Sequence, residues 1–112
     1  MLTPFIANAA DATDLTDWGP LATALGAPMH QSGVYMHEGP GIESGIWQCT
    51  PGLSRWEFAT NEFIHVLWGA MTVTHDGEDP VEVSAGSTVL FAKGWSGTWE
   101  ITETIRKVFV VF

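Results

Sequence analysis

Gly52-Leu53-Ser54-Arg55-Trp56-Glu57-Phe58-Ala59-Thr60-Asn61-Glu62-Phe63-Ile64-His65-Val66-Leu67-Trp68-Gly69 is the stretch that decides the fold. Thr60-Asn61 separates two short runs rich in aromatic and β-branched residues, Arg55–Ala59 and Glu62–Trp68. Such runs bounded by turn residues read as strands. Trp56 and Phe58 share one face by alternation, and so do Glu62, Ile64, Val66 and Trp68.

The same punctuation continues outward. Val34–Glu38 stops at Gly39-Pro40-Gly41, and Ile46–Cys49 at Pro51-Gly52. Ala70–His75 runs into Asp76-Gly77, a hairpin signal. Val81–Ser84, Thr88–Ala92, Gly97–Thr102 and Ile105–Phe112 complete about nine strands, the pattern of an antiparallel sandwich or barrel. Residues 1–32 differ: they are rich in Ala, Thr and Asp and read as an N-terminal arm. Pro20 to Leu25, before Gly26, reads there as a short helical turn. The barrel is expected over 33–112.

The chain has 112 residues, enough for one domain. Its net charge is -9, and Arg55 is its first cation. No basic face exists to neutralise phosphates, which argues against nucleic acid or anionic membranes as partners. One cysteine excludes an internal disulfide framework and a thiolate zinc cluster. The N-terminus lacks the pattern of a signal peptide, and no apolar run is long enough to span a membrane, so the expected location is the cytoplasm. Six tryptophans exceed what a core this small needs.

Gly52 to Gly69 and Gly86 to Trp99 resemble the cupin superfamily. Glu62-x6-Gly69 fits the end of its first motif, and Gly86-x5-Ala92-Lys93-Gly94 fits the start of its second, with Ala for Pro. The phrases Gly45-Ile46-Trp47-Gln48-Cys49-Thr50-Pro51-Gly52, Thr98-Trp99-Glu100-Ile101 and Arg106-Lys107-Val108-Phe109 are similar to small one-domain cupins of the ethanolamine-utilisation and ureidoglycine-aminohydrolase type. The resemblance implies an all-β, antiparallel jelly-roll β-barrel and a homodimer. In metal-binding cupins, paired histidines, a glutamate and a later histidine hold a divalent cation. Laid on this sequence, the histidine positions are Trp56, Phe58 and Gly97, and only Glu62 survives. One carboxylate does not make a metal site, so the expectation is no metal and no cofactor.

What remains is an interior rich in indoles with one carboxylate. Trp47, Trp56, Phe58, Glu62 and Trp99 are expected to converge on one narrow cavity, with space opened beside Gly97. For any single tryptophan, plain core packing is the commoner explanation. A ligand there would be small, flat or cationic rather than phosphorylated. Glu62 is the candidate general acid or base; its structural alternatives are an indole N–H, Arg55 or Lys107 as partner. One of Arg106 and Lys107 should point inward, and alternation leaves open which. Tyr35 is a third candidate for the polar group beside Glu62.

Other residues carry less. His65 should face away from Glu62, His75 reads as solvated beside its turn, and His30 and His37 lie near the arm. None has recognised ligand spacing. Cys49 reads as a buried small hydrophobe, and Asp76 to Asp79 as a solvated hairpin. Two readings of function follow: a small-molecule-binding module, or a metal-independent isomerase, cyclase or lyase using Glu62. The homodimer would cover edge strands with Leu2, Phe5 and Ile6 of the arm, and with Phe63 and His65 on the outer face.

Overall fold

The computed structural model describes residues 3–112, and these form an antiparallel β-barrel of jelly-roll type with eight strands. They are β1 (Thr16–Pro20), β2 (His30–Gly39), β3 (Ile42–Cys49), β4 (Gly52–Glu57), β5 (Glu62–His75), β6 (Val81–Ser84), β7 (Thr88–Phe91) and β8 (Ser96–Val111). The described residues contain one 3-10 turn, Ala9–Asp11, and no α-helix. No helix among them is long and apolar enough to cross a membrane.

Two long strands organise the barrel. β5 and β8 pair with each other from Glu62↔Val111 to His75↔Gly97. The halves of this ribbon have different neighbours. The first half of β5 carries β7 and its second half carries β6. The second half of β8 carries β3, followed by β2 and β1, and its first half carries β4. A ribbon shared by two half-sheets must bend between them. The register slips at Val66/Trp68, Trp68/Ala70 and Ala70/Met71 make that bend.

The bend changes the strand count and the faces. Glu62–Trp68 and Ala70–His75 are one strand, as are Gly97–Thr102 and Ile105–Phe112. Glu62, Ile64 and Val66 face the core, but past the slip Met71 and Val73 do, so the inward parity moves from even to odd. Trp68 therefore points outward, contrary to strict alternation. Its Nε1–H donates to the Ala10 carbonyl at 2.8 Å, and the Arg106 guanidinium lies 5.0 Å above its ring. Arg106 also donates to the carbonyls of Ala9 and Ala10, which ties the N-terminal segment to the outer face.

The region before residue 33 differs from the expectation too. No helical turn spans Pro20–Leu25. Pro20 ends β1, and the Leu21 N–H donates to the Met29 carbonyl at 2.8 Å. β2 starts at His30, and Met29 and Leu21 are buried in the core. The hairpin after β5 is anchored rather than free. Asp76 accepts two hydrogen bonds from Arg55 and one from Ser96. The Arg55 guanidinium bonds hold its carboxyl down to about 2. His75 is half-buried, not solvated: it stacks on Trp95 and donates from Nδ1 to the Ser96 carbonyl at 2.7 Å.

Gly69 sits at the bend with φ +92°, and a Cβ there would lie 2.2 Å from the Thr104 carbonyl oxygen. Side chains are strained at that φ and excluded by that distance. Gly69→Ala is expected to cost about 2–3 kcal/mol, read from the urea midpoint. A loss below about 0.5 kcal/mol, the range of ordinary surface substitutions, would contradict this account of the bend.

Candidate functional site

The site is built where β3, β5 and β8 lie side by side. Lys107 on β8 stands opposite Trp47 on β3 and Val66 on β5. On β8, Trp99 and Ile101 before the exposed Glu103, and Ile105, Lys107 and Phe109 after it, are buried on the core side. Contacts separate the two buried cations: Lys107 reaches Glu62 in the interior, and Arg106 lies on the other face, beneath Ala9 and Ala10.

A buried ammonium is costly unless it is paired. Lys107, 3% exposed, donates from Nζ to Oε2 of Glu62, itself 8% exposed. Nζ also lies 4.6 Å from the ring centroids of both Trp47 and Trp99. Indole faces attract a cation, more strongly where water is excluded. The ammonium is therefore held by one carboxylate and two π faces.

Behind this pair the aromatics pack on one another. Trp56 stacks on Trp99 at 4.4 Å and on Phe58 at 5.8 Å, and Phe58 stacks on Phe91 at 5.3 Å. A Cβ on Gly97 would lie 2.7 Å from Cη2 of Trp95, so Trp95 fills the space that the sequence reading left open there. The Trp47 indole N–H donates to Gln31 Oε1, and that of Trp56 to Ser54 Oγ. Trp99 Nε1 is the one buried side-chain nitrogen or oxygen without a partner among the described residues. An unmade hydrogen bond of this kind costs about 1–3 kcal/mol, so the ring's face toward Lys107, rather than its N–H, accounts for its place.

A cavity of about 500 Å³ opens in front of the pair. Of the expected residues, Trp47, Trp56 and Glu62 line it, while Phe58 and Trp99 sit behind that wall. Lys107 and Tyr35, candidates for the second polar group, line it as well. Trp18, Gln31, Phe109 and Val111 complete the lining, and sequence reasoning missed all four. Phe109 and Val111 continue the parity of Lys107. Burial, aided by Glu43 and Glu38, pushes the Tyr35 phenol up, which keeps it a neutral donor.

Nucleophile and metal chemistries find little support in these residues. Burial pushes the Cys49 thiol up to about 11, and it is fully buried. The four histidines are dispersed: His30 on Asp17, His75 on Ser96, His37 beside Gly39 and His65 half-buried on β5. No group of three His, Cys, Asp or Glu that could hold a metal ion occurs among the described residues. At the position of the cupin metal the donor set does not fit a cation: Glu62 is already paired with Lys107, and Trp56 and Phe58 are stacked there.

A family model described as EutQ-like cupin domain matches residues 37–109. Three solved structures show the likeness in fold. A protein of unknown function of the DUF861 family from Pseudomonas syringae is 20% identical with a TM-score of 0.81. The match covers 92% of this chain and 46% of that one, so the chain spans about half its length. The Clostridium difficile EutQ protein is 16% identical with a TM-score of 0.73, over 89% and 80% of the two chains. A putative ethanolamine utilization protein Q from Salmonella typhimurium is 23% identical with a TM-score of 0.68, over 84% and 76%. No curated protein is significantly similar in sequence.

Removing one member of a buried ion pair strands the other. Lys107→Met is expected to lower stability by about 3–5 kcal/mol, and adding Glu62→Leu to recover most of that loss. Guanidinium unfolding of the wild type, both single variants and the double variant measures the coupling. Simple additivity of the two losses would contradict the pairing.

Proposed function

The chain belongs to the EutQ-like cupin family, and from that premise we propose that it binds a small, flat, uncharged molecule in a pocket that uses no metal. The observation that carries this reading is the Lys107 ammonium between Trp47 and Trp99, on Glu62. The protein's own cation takes the place that a bound cation would take. The pair is neutral as a unit, so the pocket loses the preference for cationic ligands expected from one carboxylate alone. Multiply anionic ligands are opposed by the chain's net charge of -9.

Shape and polarity narrow the class further. The cavity volume lies in the range of small-molecule pockets, and its walls are aromatic. An ammonium has three N–H donors, and Glu62 takes one of those of Lys107. The carboxylate likewise keeps acceptor capacity. A primary amide matches both: its carbonyl accepts from Lys107, and its N–H donates to Glu62.

A second reading rests on the same contact. Lys107 is a second titratable group converging on Glu62, the arrangement that a metal-independent isomerase, cyclase or lyase with Glu62 as general acid or base would need. For such an enzyme, Glu62→Gln abolishes turnover while probe binding persists.

We also propose a homodimer, and the cytoplasm as its setting. Phe63 and Leu90 are direct cross-strand partners, 42% and 57% exposed, and Phe5 is 80% exposed. These suit a covered face; Leu2 lies outside the described residues. Sedimentation at micromolar concentration should give a species near twice 12.2 kDa, and a monomer alone would contradict the dimer.

Benzamide is the probe for the pocket, with inorganic phosphate as the control. Saturable shifts of the Trp47 and Trp56 indole N–H signals are expected with benzamide and not with phosphate. Elemental analysis of the same protein should give far less than one metal per chain. Phosphate binding at these indoles, no response to benzamide, or stoichiometric metal lost in Glu62→Gln would refute the reading.

A further inference from the structure

Trp18 reaches the cavity from the outermost strand of the run that leads through β2 and β3 to β8. It belongs to β1, an edge strand paired only with β2. Asp17 pairs with Ser32 and Gly19 with Gln31, which leaves Trp18 as an extra, unpaired residue between them. That is a bulge, and a bulge re-aims the side chain it carries. The kink is held from both sides. Gly19 has φ +76° and donates its N–H to Asp17 Oδ1 at 2.7 Å. The same carboxylate oxygen lies 2.9 Å from His30 Nε2 on β2.

The neighbouring strand makes room for the re-aimed ring. A Cβ on Gly33 would lie 2.5 Å from both Cη2 and Cζ3 of Trp18. The indole thus lies across a bare stretch of β2 backbone and reaches Tyr35, 5.0 Å away at 31° between planes. Tyr35 meets Phe109 edge-on at 6.2 Å. Trp18 of β1, Tyr35 of β2 and Phe109 of β8 therefore line the cavity as one run of rings, with Trp47 and Trp56 among the other walls.

We propose that Trp18 determines specificity: its bulge-delivered ring selects planar ligands by stacking on them. The proposal rests on the reading of the pocket as an amide-binding site and adds the group that distinguishes flat from puckered ligands. An aromatic contact of this kind is worth from about twofold to about tenfold in affinity.

The test compares benzamide with cyclohexanecarboxamide, which carry the same amide on a flat and a puckered ring. Affinities are read from the indole N–H signals of Trp47 and Trp56. The wild type is expected to bind benzamide about fivefold more tightly. Trp18→Leu, which keeps apolar bulk without a flat face, should bring the two within about twofold by weakening benzamide alone. Trp18→Phe should restore the preference. Near-ultraviolet circular dichroism checks that each variant is folded. An unchanged preference in Trp18→Leu, or equal weakening of both compounds, would overturn the role of Trp18 and leave the pocket reading intact. Failure of both compounds to move either indole in the wild type would instead remove the pocket reading and this proposal together.

Discussion

A lysine ammonium cannot sit in the middle of a β-barrel without compensation, and the arrangement around Lys107 follows from that constraint. Glu62 must reach it from the start of β5, and Trp47 and Trp99 must present faces rather than edges. Trp56 and Phe58 then stack behind them. Trp99 forgoes a partner for its N–H and keeps its π face on the cation. Glu62 thus holds a cation that the chain itself supplies.

The ribbon of β5 and β8 makes that place possible. Both strands cross from one half-sheet to the other, and the bend near Gly69 lets even positions face inward before it and odd positions after it. Glu62 lies on the first segment and Val73 on the second, so one strand supplies both the carboxylate and core beneath the other half-sheet. The outward turn of Trp68 comes from the same slip. It gives Arg106 a ring to lie on and the N-terminal segment a donor to accept from.

The architecture was legible because turn residues punctuate this chain at short intervals and the alternation between them is clean. Trp47, Trp56 and Glu62 were legible for the same reason. Lys107 was half legible. Its inward direction follows from Trp99 and Ile101 only if Thr102-Glu103-Thr104 is strand, and three polar residues in a row read as a break instead. Trp68 was misassigned because a register slip has no side-chain pattern of its own; Gly69 marks it, but a glycine also marks a strand end. Trp18 was hidden more deeply. Asp17-Trp18-Gly19-Pro20 has the composition of a turn, and only pairing with β2 makes it an edge strand with a bulge. Gln31 and Val111 needed the neighbouring strands before their faces meant anything.

The whole arrangement turns on the ammonium of Lys107 lying against Trp47, Trp99 and Glu62. Proton and nitrogen NMR of the lysine side chains tests it most directly, with exposed Lys93 as the internal reference. The Lys107 methylene protons next to Nζ should be shifted upfield by the two indole rings, and its ammonium protons should exchange slowly enough to be seen. Both signals should stay unmoved when manganese is added. A Lys107 signal like that of Lys93, or paramagnetic broadening of Lys107, Trp47 and Trp99 on adding manganese, would contradict it.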